Sequence, residues 1–153
     1  MPRKYIPWLK WPVAFGVLCV PVLAALLWPM SFWLEVRTVH VNDARADEPI
    51  TMLVDREIKR GFFGTYNVTV HRWTNRGPEA YCTARGEEWD YAAGAVYPVP
   101  LTLRWWVGGK RECSALPPGQ YQVTTRWVNL GNFLPLPARS LTVVSNIFTV
   151  QHE

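Results

Sequence analysis

Histidine and serine side chains are the first candidates for chemistry in this sequence, and both sets are scattered. His40, His71 and His152 are isolated from one another, and none belongs to a His-x-x-x-His pair. A zinc site needs three or four ligands at close spacing, whereas an isolated histidine in a strand is usually a polar surface residue. The serines lack the Gly-x-Ser-x-Gly context of a nucleophile elbow. The sequence therefore predicts no metal site, no cofactor and no serine hydrolase.

Acidic residues form one cluster, in which Glu87, Glu88 and Asp90 lie beside Trp89 and Tyr91. Such a group could supply the paired carboxylates of a glycosidase or the ligands of a calcium loop. A calcium loop usually spaces its acids as Asp-x-Asp-x-Asp-Gly, and a glycosidase needs a deep cleft that so small a domain can barely supply. A solvated loop explains the cluster with fewer assumptions, so the sequence predicts a protein that is not an enzyme.

Three cysteines are present, and Cys82 and Cys113 are the pair that can form a bridge, because Cys19 lies inside a long apolar run. Their spacing is too wide for a redox-active motif, and they lack the further ligands of a zinc site. Two thiols in a small domain that faces an oxidising compartment are expected to form a structural disulfide. The sequence predicts a Cys82–Cys113 bridge that closes a loop of about 30 residues.

Tryptophan is unusually frequent, with nine in 153 residues. Trp105 and Trp106 fall in a predicted strand, so they should point to opposite faces, one to the core and one to the surface. An exposed tryptophan could stack on a sugar ring or anchor a protein contact, although cross-strand packing on a half-exposed sheet is the more frequent arrangement. In the stretch 130–139, Phe133, Leu134 and Leu136 either pack back on the domain, which is the more frequent arrangement, or stay exposed as a contact loop. The candidate contact surface comprises Trp73, Trp89, Trp106, Phe133 and Leu134.

Residues 11–34, here called the apolar segment, form a run of 24 residues that contains no charged residue and no histidine. As a helix this segment would be about 36 Å long, enough to cross a hydrocarbon core of about 30 Å, and aromatic residues mark both ends. A cleaved signal peptide is the main alternative, but the run is longer than an h-region and ends in bulky residues. The unbroken lack of charge argues against a buried helix of a soluble protein. We predict one transmembrane helix over 11–34.

Charge predicts the orientation of that helix. Arg3, Lys4 and Lys10 precede it, so residues 1–10 are expected in the cytoplasm and residues 35–153 on the extracytoplasmic side of the membrane. Beyond the apolar segment thirteen basic residues face twelve acidic ones, a balance of +1. A nearly neutral domain is a poor surface for nucleic acid, which we exclude as a partner.

The rest of the chain is predicted to be all-β. Short windows alternate between apolar and polar residues with period two, and proline or glycine occupies most of the intervals. The charged stretch 55–61 and the stretch 130–139 are predicted as connections. Without intervening helices, the pattern favours an immunoglobulin-like antiparallel sandwich of about seven strands, preceded by the transmembrane helix. The predicted strands cover 36–41, 50–54, 65–73, 80–84, 101–107, 119–128 and 141–150.

Two resemblances accompany this pattern. The stretch Pro-Pro-Gly-Gln-Tyr-Gln-Val at 117–123 resembles the turn and strand entry of immunoglobulin-like sandwich domains, although Cys82 and Cys113 are closer in sequence than the cysteines of antibody domains. The domain, with its stretches 55–58, 65–70 and 145–148, is also similar to small uncharacterised membrane-anchored proteins of proteobacteria and their phages. That resemblance implies an inner-membrane anchor and a periplasmic domain, and it implies no activity.

Two functions are compatible with these features. The first is a membrane-anchored, non-enzymatic accessory or assembly subunit, whose partners are the lipid bilayer and a larger membrane-protein complex. The second is an envelope carbohydrate-binding module that binds peptidoglycan through exposed tryptophans. A stoichiometric membrane partner would favour the first function, and retention on peptidoglycan the second.

Overall fold

The computed structural model describes residues 10–96, 101–131 and 138–152. An N-terminal helix is followed by a domain built almost entirely of β-strands, so the prediction of an all-β domain is confirmed. A short 3-10 turn, Met30–Phe32, connects the helix to the first strand. The elements in these ranges are α1 (Lys10–Leu27), β1 (Leu34–Val41), β2 (Ala44–Arg45), β3 (Thr51–Ile58), β4 (Phe62–Thr74), β5 (Gly77–Arg85), β6 (Trp89–Tyr91), β7 (Leu101–Thr102), α2 (Leu103–Trp106), α3 (Arg111–Ser114), β8 (Gly119–Asn129) and β9 (Arg139–Gln151).

The strands form two sheets around one hydrophobic core. The smaller sheet has the order β1-β3-β7, and the larger has the order β2-β9-β8-β4-β5, with β6 paired to β4. All pairings between these strands are antiparallel except that of β2 with β9. Alternate residues along the strands point inward, as the period-two pattern predicts. The largest fully buried side chains come from both sheets and from α2, and include Leu34, Val41, Val68, Trp106, Tyr121, Trp127 and Phe148.

Asn146 joins the two sheets through its side-chain amide. Its Oδ1 accepts a hydrogen bond from the backbone N–H of Val41 at 2.8 Å, and its Nδ2 donates to the carbonyl oxygen of the same residue at 2.9 Å. The amide therefore takes the place of a neighbouring strand for one residue of β1. This pairing satisfies backbone groups that would otherwise be left without partners at the junction of the sheets.

Most predicted strands are confirmed, each slightly longer than its sequence pattern, but the predicted connection 55–61 is wrong over its first half. Strand β3 continues to Ile58 and pairs with β1 from Met52 to Ile58. The charged side chains obscured the alternation, because Asp55 and Glu57 point to solvent while Ile58 is buried. Arg37 on β1 bonds both acids, at 3.2 and 3.0 Å. These ion pairs lie across β1 and β3 on the solvent-facing side of the sheet, where opposite charges on neighbouring strands are favourable.

The apolar segment does not form one helix. Helix α1 ends at Leu27, and Met30 and Leu34 are buried in the β-domain. Pro29 explains the break, because proline biases the residue before it away from helical geometry. No helix within the described ranges is both long and apolar enough to cross a membrane. The prediction of a single helix over 11–34 is corrected accordingly.

Candidate functional site

The predicted strand 101–107 is confirmed for its first two residues only, because a helical turn replaces it from Leu103. This difference changes which tryptophan of the pair 105–106 is exposed. Strand β7 ends at Thr102, whose Oγ1 accepts a hydrogen bond from the backbone N–H of Trp105 at 3.3 Å and so caps helix α2. Gly108 and Gly109 follow with φ of 62° and 77°, a left-handed geometry that glycine adopts without strain. Capping at one end and two glycines at the other make this stretch a single helical turn.

Trp106 is consequently a core residue, and its prediction as a surface residue is wrong. Its side chain is fully buried, and its Nε1 donates to Thr125 Oγ1 at 2.9 Å. Its ring lies between those of Tyr66 and Trp127, with centroid distances of 5.1 and 5.9 Å. On one helical turn Trp105 and Trp106 are about 100° apart instead of on opposite faces. The exposed member of the pair is Trp105.

Trp105 and Trp89 are both exposed, by 47% and 58%, and they line the same cavity. The cavity has a volume of about 870 Å³ and lies between β6, α2 and the loop that follows β6. We call it the tryptophan groove. Its volume falls within the range of about 300–1,000 Å³ that is typical of small-molecule sites. This groove is the strongest candidate site in the described part of the chain.

Aromatic residues form the floor of the tryptophan groove. Tyr66 and Tyr91 are both buried and line it, together with the half-buried Arg56, whose guanidinium carbon lies 5.5 Å from the centre of the Tyr91 ring. Strand β6 reaches this position by pairing with the start of β4, where Gly64 faces Trp89. Gly86 also lines the groove, and a methyl group there would overlap the Tyr66 ring. The absence of a side chain at this position lets the backbone approach that ring.

Charged side chains surround this floor at the exposed rim. Arg85, Glu87, Asp90 and Arg104 line the groove and are exposed to solvent. Arg85 pairs with Glu88 at 3.0 Å. The acidic cluster noted in the sequence thus lies at this rim, with both positive and negative groups within reach of a ligand. Among the residues described, no three His, Cys, Asp or Glu side chains lie close enough to hold a metal ion.

Burial raises the pKa of Tyr66 to about 12; the neighbouring Tyr91 adds to the rise and Arg56 opposes it. Below pH 10 the phenol is neutral in both the folded and the unfolded chain. Between pH 10 and 12 the unfolded chain loses this proton while the folded chain keeps it, so the free energy of unfolding falls, by about 2–3 kcal/mol in total.

Replacing Tyr66 with Phe is expected to remove this part of the alkaline loss of stability. Urea unfolding of both proteins between pH 9 and 12 measures it, and the readout is the difference between the two curves, because other tyrosines and the lysines also titrate there. Parallel curves across this range would contradict the assigned burial of the Tyr66 phenol.

The predicted disulfide is confirmed. Cys82 on β5 is bonded to Cys113 on α3, with the two Cα atoms 5.7 Å apart. Lys110 supports the same junction, because its Nζ donates to the carbonyl oxygen of Thr83 at 3.0 Å. The bridge therefore fixes α3 to the edge strand β5, and through the short connection to α2 it restrains the turn that carries Trp105.

The other predicted contact residues do not join the tryptophan groove. Trp73 lies half-buried near the end of β4, opposite Pro78 on β5. Phe133 and Leu134 lie outside the described residues. His40 and His71 are on β1 and β4, which belong to different sheets. Of the predicted surface, Trp89 alone is placed at the groove, and Trp105, Tyr66 and Arg56 are its unpredicted members.

Helix α1 presents a second, different surface. Its described side chains are exposed apart from the half-buried Cys19, and none is buried. The exposed fraction is 71% for Phe15, 70% for Leu18 and 81% for Leu27. Large apolar side chains point outward on all sides of this helix, so the β-domain does not cover them. They are Val13, Phe15, Val17, Leu18, Val20, Val22, Leu23 and Leu27.

An aromatic collar, defined as Trp28, Phe32 and Trp33, follows α1. The Trp28 and Phe32 rings stack at 4.2 Å. The guanidinium of Arg60 lies 3.6 Å from the centre of the Phe32 ring and donates to the Phe32 carbonyl oxygen at 3.1 Å. Arg139 lies 4.6 Å from the centre of the Trp33 ring. Arginines stacked on aromatic rings therefore connect the end of α1 to the β-domain.

Comparison with known proteins adds no family assignment. No protein-family model, no curated protein and no solved structure matches this chain.

Proposed function

We propose that the chain is a membrane-anchored, non-enzymatic accessory or assembly subunit. In this proposal α1 is held in a lipid bilayer, and the β-domain presents a contact surface to a larger membrane complex. The observation that carries the proposal is the exposure of apolar side chains on all sides of α1. A helix that is apolar all round is covered either by a protein core or by lipid, and the β-domain leaves this one uncovered.

Helix α1 is shorter than a typical membrane span, so the proposal requires the bilayer to adapt to it. Its 18 residues extend about 27 Å, a few ångströms less than a typical hydrocarbon core of about 30 Å. A short apolar helix is accommodated by local thinning of the bilayer or by flanking side chains that reach the interface, at a modest cost in free energy. Pro21 inside the helix is tolerated better in a membrane than in water.

The aromatic collar supports the same placement. Tryptophan is enriched at the headgroup level of membranes, and arginine side chains near helix ends extend towards the phosphates. Trp28 is 45% exposed at the end of α1, and Arg60 and Arg139 lie on the collar rings. The end of the β-domain nearest the helix therefore offers side chains suited to the membrane surface.

Charge and the disulfide support the proposed orientation. Arg3, Lys4 and Lys10 precede the helix core, which favours a cytoplasmic N-terminus. The Cys82–Cys113 bridge is of the kind that persists in oxidising compartments such as the periplasm. We therefore propose an inner-membrane protein with a periplasmic β-domain.

Within this proposal the β-domain is an immunoglobulin-like sandwich with its own modifications. Two sheets that pack around one core, antiparallel except for the pairing of β2 with β9, support that assignment. One departure is the disulfide, which joins an edge strand to the short helix α3 rather than two strands across the core. We assign binding rather than catalysis to the domain because the carboxylates at the tryptophan groove lie on its exposed rim rather than in an enclosed cleft.

Replacing Leu18 with Lys tests the anchor and the partner together. Leu18 is in the middle of α1, where a charge costs about 2.5–3.5 kcal/mol on insertion. Wild-type chain extracted in mild detergent is expected to co-purify with a membrane protein at a fixed ratio. The variant is expected to lose both this partner and its sedimentation with membranes, measured by alkaline extraction and size-exclusion chromatography.

The matched control is Val144→Lys, a change at a half-exposed position of the β-domain. It should leave membrane sedimentation unchanged. A wild-type chain that is monomeric in every mild detergent, or a Leu18→Lys chain that stays in the membrane fraction with its partner, would argue against the proposal.

A further inference from the structure

The tryptophan groove carries an inference that does not depend on the membrane anchor. Its two exposed tryptophans come from separate elements, β6 and α2, yet line one cavity. Single exposed apolar residues are normal on a protein surface, but two exposed indoles in one concave site are a feature of binding sites. We infer that the tryptophan groove binds a glycan chain.

The indole rings define the apolar part of the ligand. Tryptophan offers a large flat face that packs against other flat apolar surfaces, and it also carries one N–H donor. A pyranose ring whose substituents are equatorial exposes such a surface through its C–H groups. Trp89 and Trp105, at 58% and 47% exposure, retain enough free surface for this contact.

The rim defines the polar part of the ligand. Arg104 supplies planar N–H donors, and Glu87 and Asp90 supply only acceptors when ionised. Sugar hydroxyls both donate and accept, so neighbouring hydroxyl pairs match a rim of mixed charge. A nucleic acid would require a rim dominated by positive charge. The mixture of signs therefore favours an uncharged or weakly charged glycan.

Two walls of the groove, β6 and the turn that carries Trp105, are held by contacts within the domain. Strand β6 is paired to β4, and the turn that carries Trp105 is restrained by its Thr102 cap and, through α3, by the disulfide. Preorganised side chains bind with a smaller loss of conformational entropy. Gly108 and Gly109 also line the groove, and neither places a side chain beside Trp105.

Pelleting with purified peptidoglycan, freed of protein by protease treatment, tests this inference on the full chain in mild detergent. Peptidoglycan is the probe because its glycan strands are β-linked pyranoses. The wild-type chain is expected to pellet with it, and a soluble oligosaccharide of the same strand should compete. Trp89→Ala and Trp105→Ala are each expected to weaken binding about tenfold, which corresponds to about 1.4 kcal/mol.

Trp28→Ala is the matched control, because Trp28 is exposed to 45%, similar to Trp105, but does not line the groove. It should pellet like the wild type. Thermal unfolding verifies that all variants are folded. Because the three substituted side chains are exposed, each variant is expected to fold. The inference is overturned if the wild-type chain does not pellet, if binding survives both groove substitutions, or if Trp28→Ala reduces binding equally. None of these outcomes bears on the anchoring of α1, which the Leu18→Lys variant tests separately.

Discussion

Replacing Trp106 with alanine is expected to lower the free energy of unfolding by about 3–5 kcal/mol, the range for removing a buried tryptophan. Trp106 is fully buried between Tyr66 and Trp127 and donates its indole N–H to Thr125 Oγ1. The substitution leaves a cavity at the centre of the aromatic core and removes the hydrogen-bond partner of a buried hydroxyl. Because domains are stable by only about 5–15 kcal/mol, this variant is expected to be marginally folded.

Urea unfolding of the full chain in mild detergent, followed by near-ultraviolet circular dichroism, measures this loss. Trp105→Ala is the matched control, since the neighbouring tryptophan is about half exposed and should cost less than about 1 kcal/mol. Trp106→Phe retains ring packing but not the N–H donor, and an intermediate loss is expected. Equal stability of the Trp106→Ala and Trp105→Ala chains would show that Trp106 is not the core member of the pair.

Removing the disulfide by replacing Cys82 and Cys113 with alanine is expected to cost about 3.7 kcal/mol. The bridge closes a separation of 31 residues, and the value follows from the loop entropy that the unfolded chain regains. Urea unfolding in the absence of reductant measures this cost.

Cys19→Ala is the control for the disulfide, because Cys19 is a free cysteine on α1. It should leave the stability of the β-domain unchanged. Reduction of the wild-type chain should reproduce the loss seen in the double variant. If the double variant unfolded at the same urea concentration as the wild type, the bridge would have no part in stabilising this domain.

The strands were predictable because alternation is a local signal. Strand β8 shows this best, since Tyr121, Val123, Thr125 and Trp127 are all buried and fall on one face, as their spacing predicts. The end of β3 was missed because Asp55 and Glu57 obscured the same alternation. Charged residues on the solvent-facing side of a strand satisfy the alternation as well as other polar residues do.

The position of Trp106 was not predictable from alternation, because a competing local signal determines it. The sequence Leu-Thr-Leu-Arg-Trp-Trp-Val has the composition of a strand, but Thr102 caps a helical turn and Gly108 and Gly109 end it. Threonine before a short run that ends in two glycines is a signal that could have indicated this turn. This capping signal is weak, because the helix that it begins has only four residues.

The tryptophan groove could be predicted only in part. Trp89 was identified by its type, but Arg56, Tyr66 and Trp105 lie on different elements and meet only through strand register and the packing of α2. The register of β4 with β6 places Phe62 opposite Tyr91 and Gly64 opposite Trp89. Such long-range pairing depends on the whole sheet, and no single stretch of sequence specifies it.

Thiol labelling of membranes tests most directly the claim that α1 anchors an oxidised β-domain in a bilayer. Membranes from expressing cells are washed with alkaline carbonate, dissolved in denaturant, and treated with a large maleimide before and after reduction. We predict that the chain stays in the washed membranes and gains one label without reductant, on Cys19, and three labels after reduction. A chain that the wash releases, or one that gains three labels without reductant, would contradict the claim.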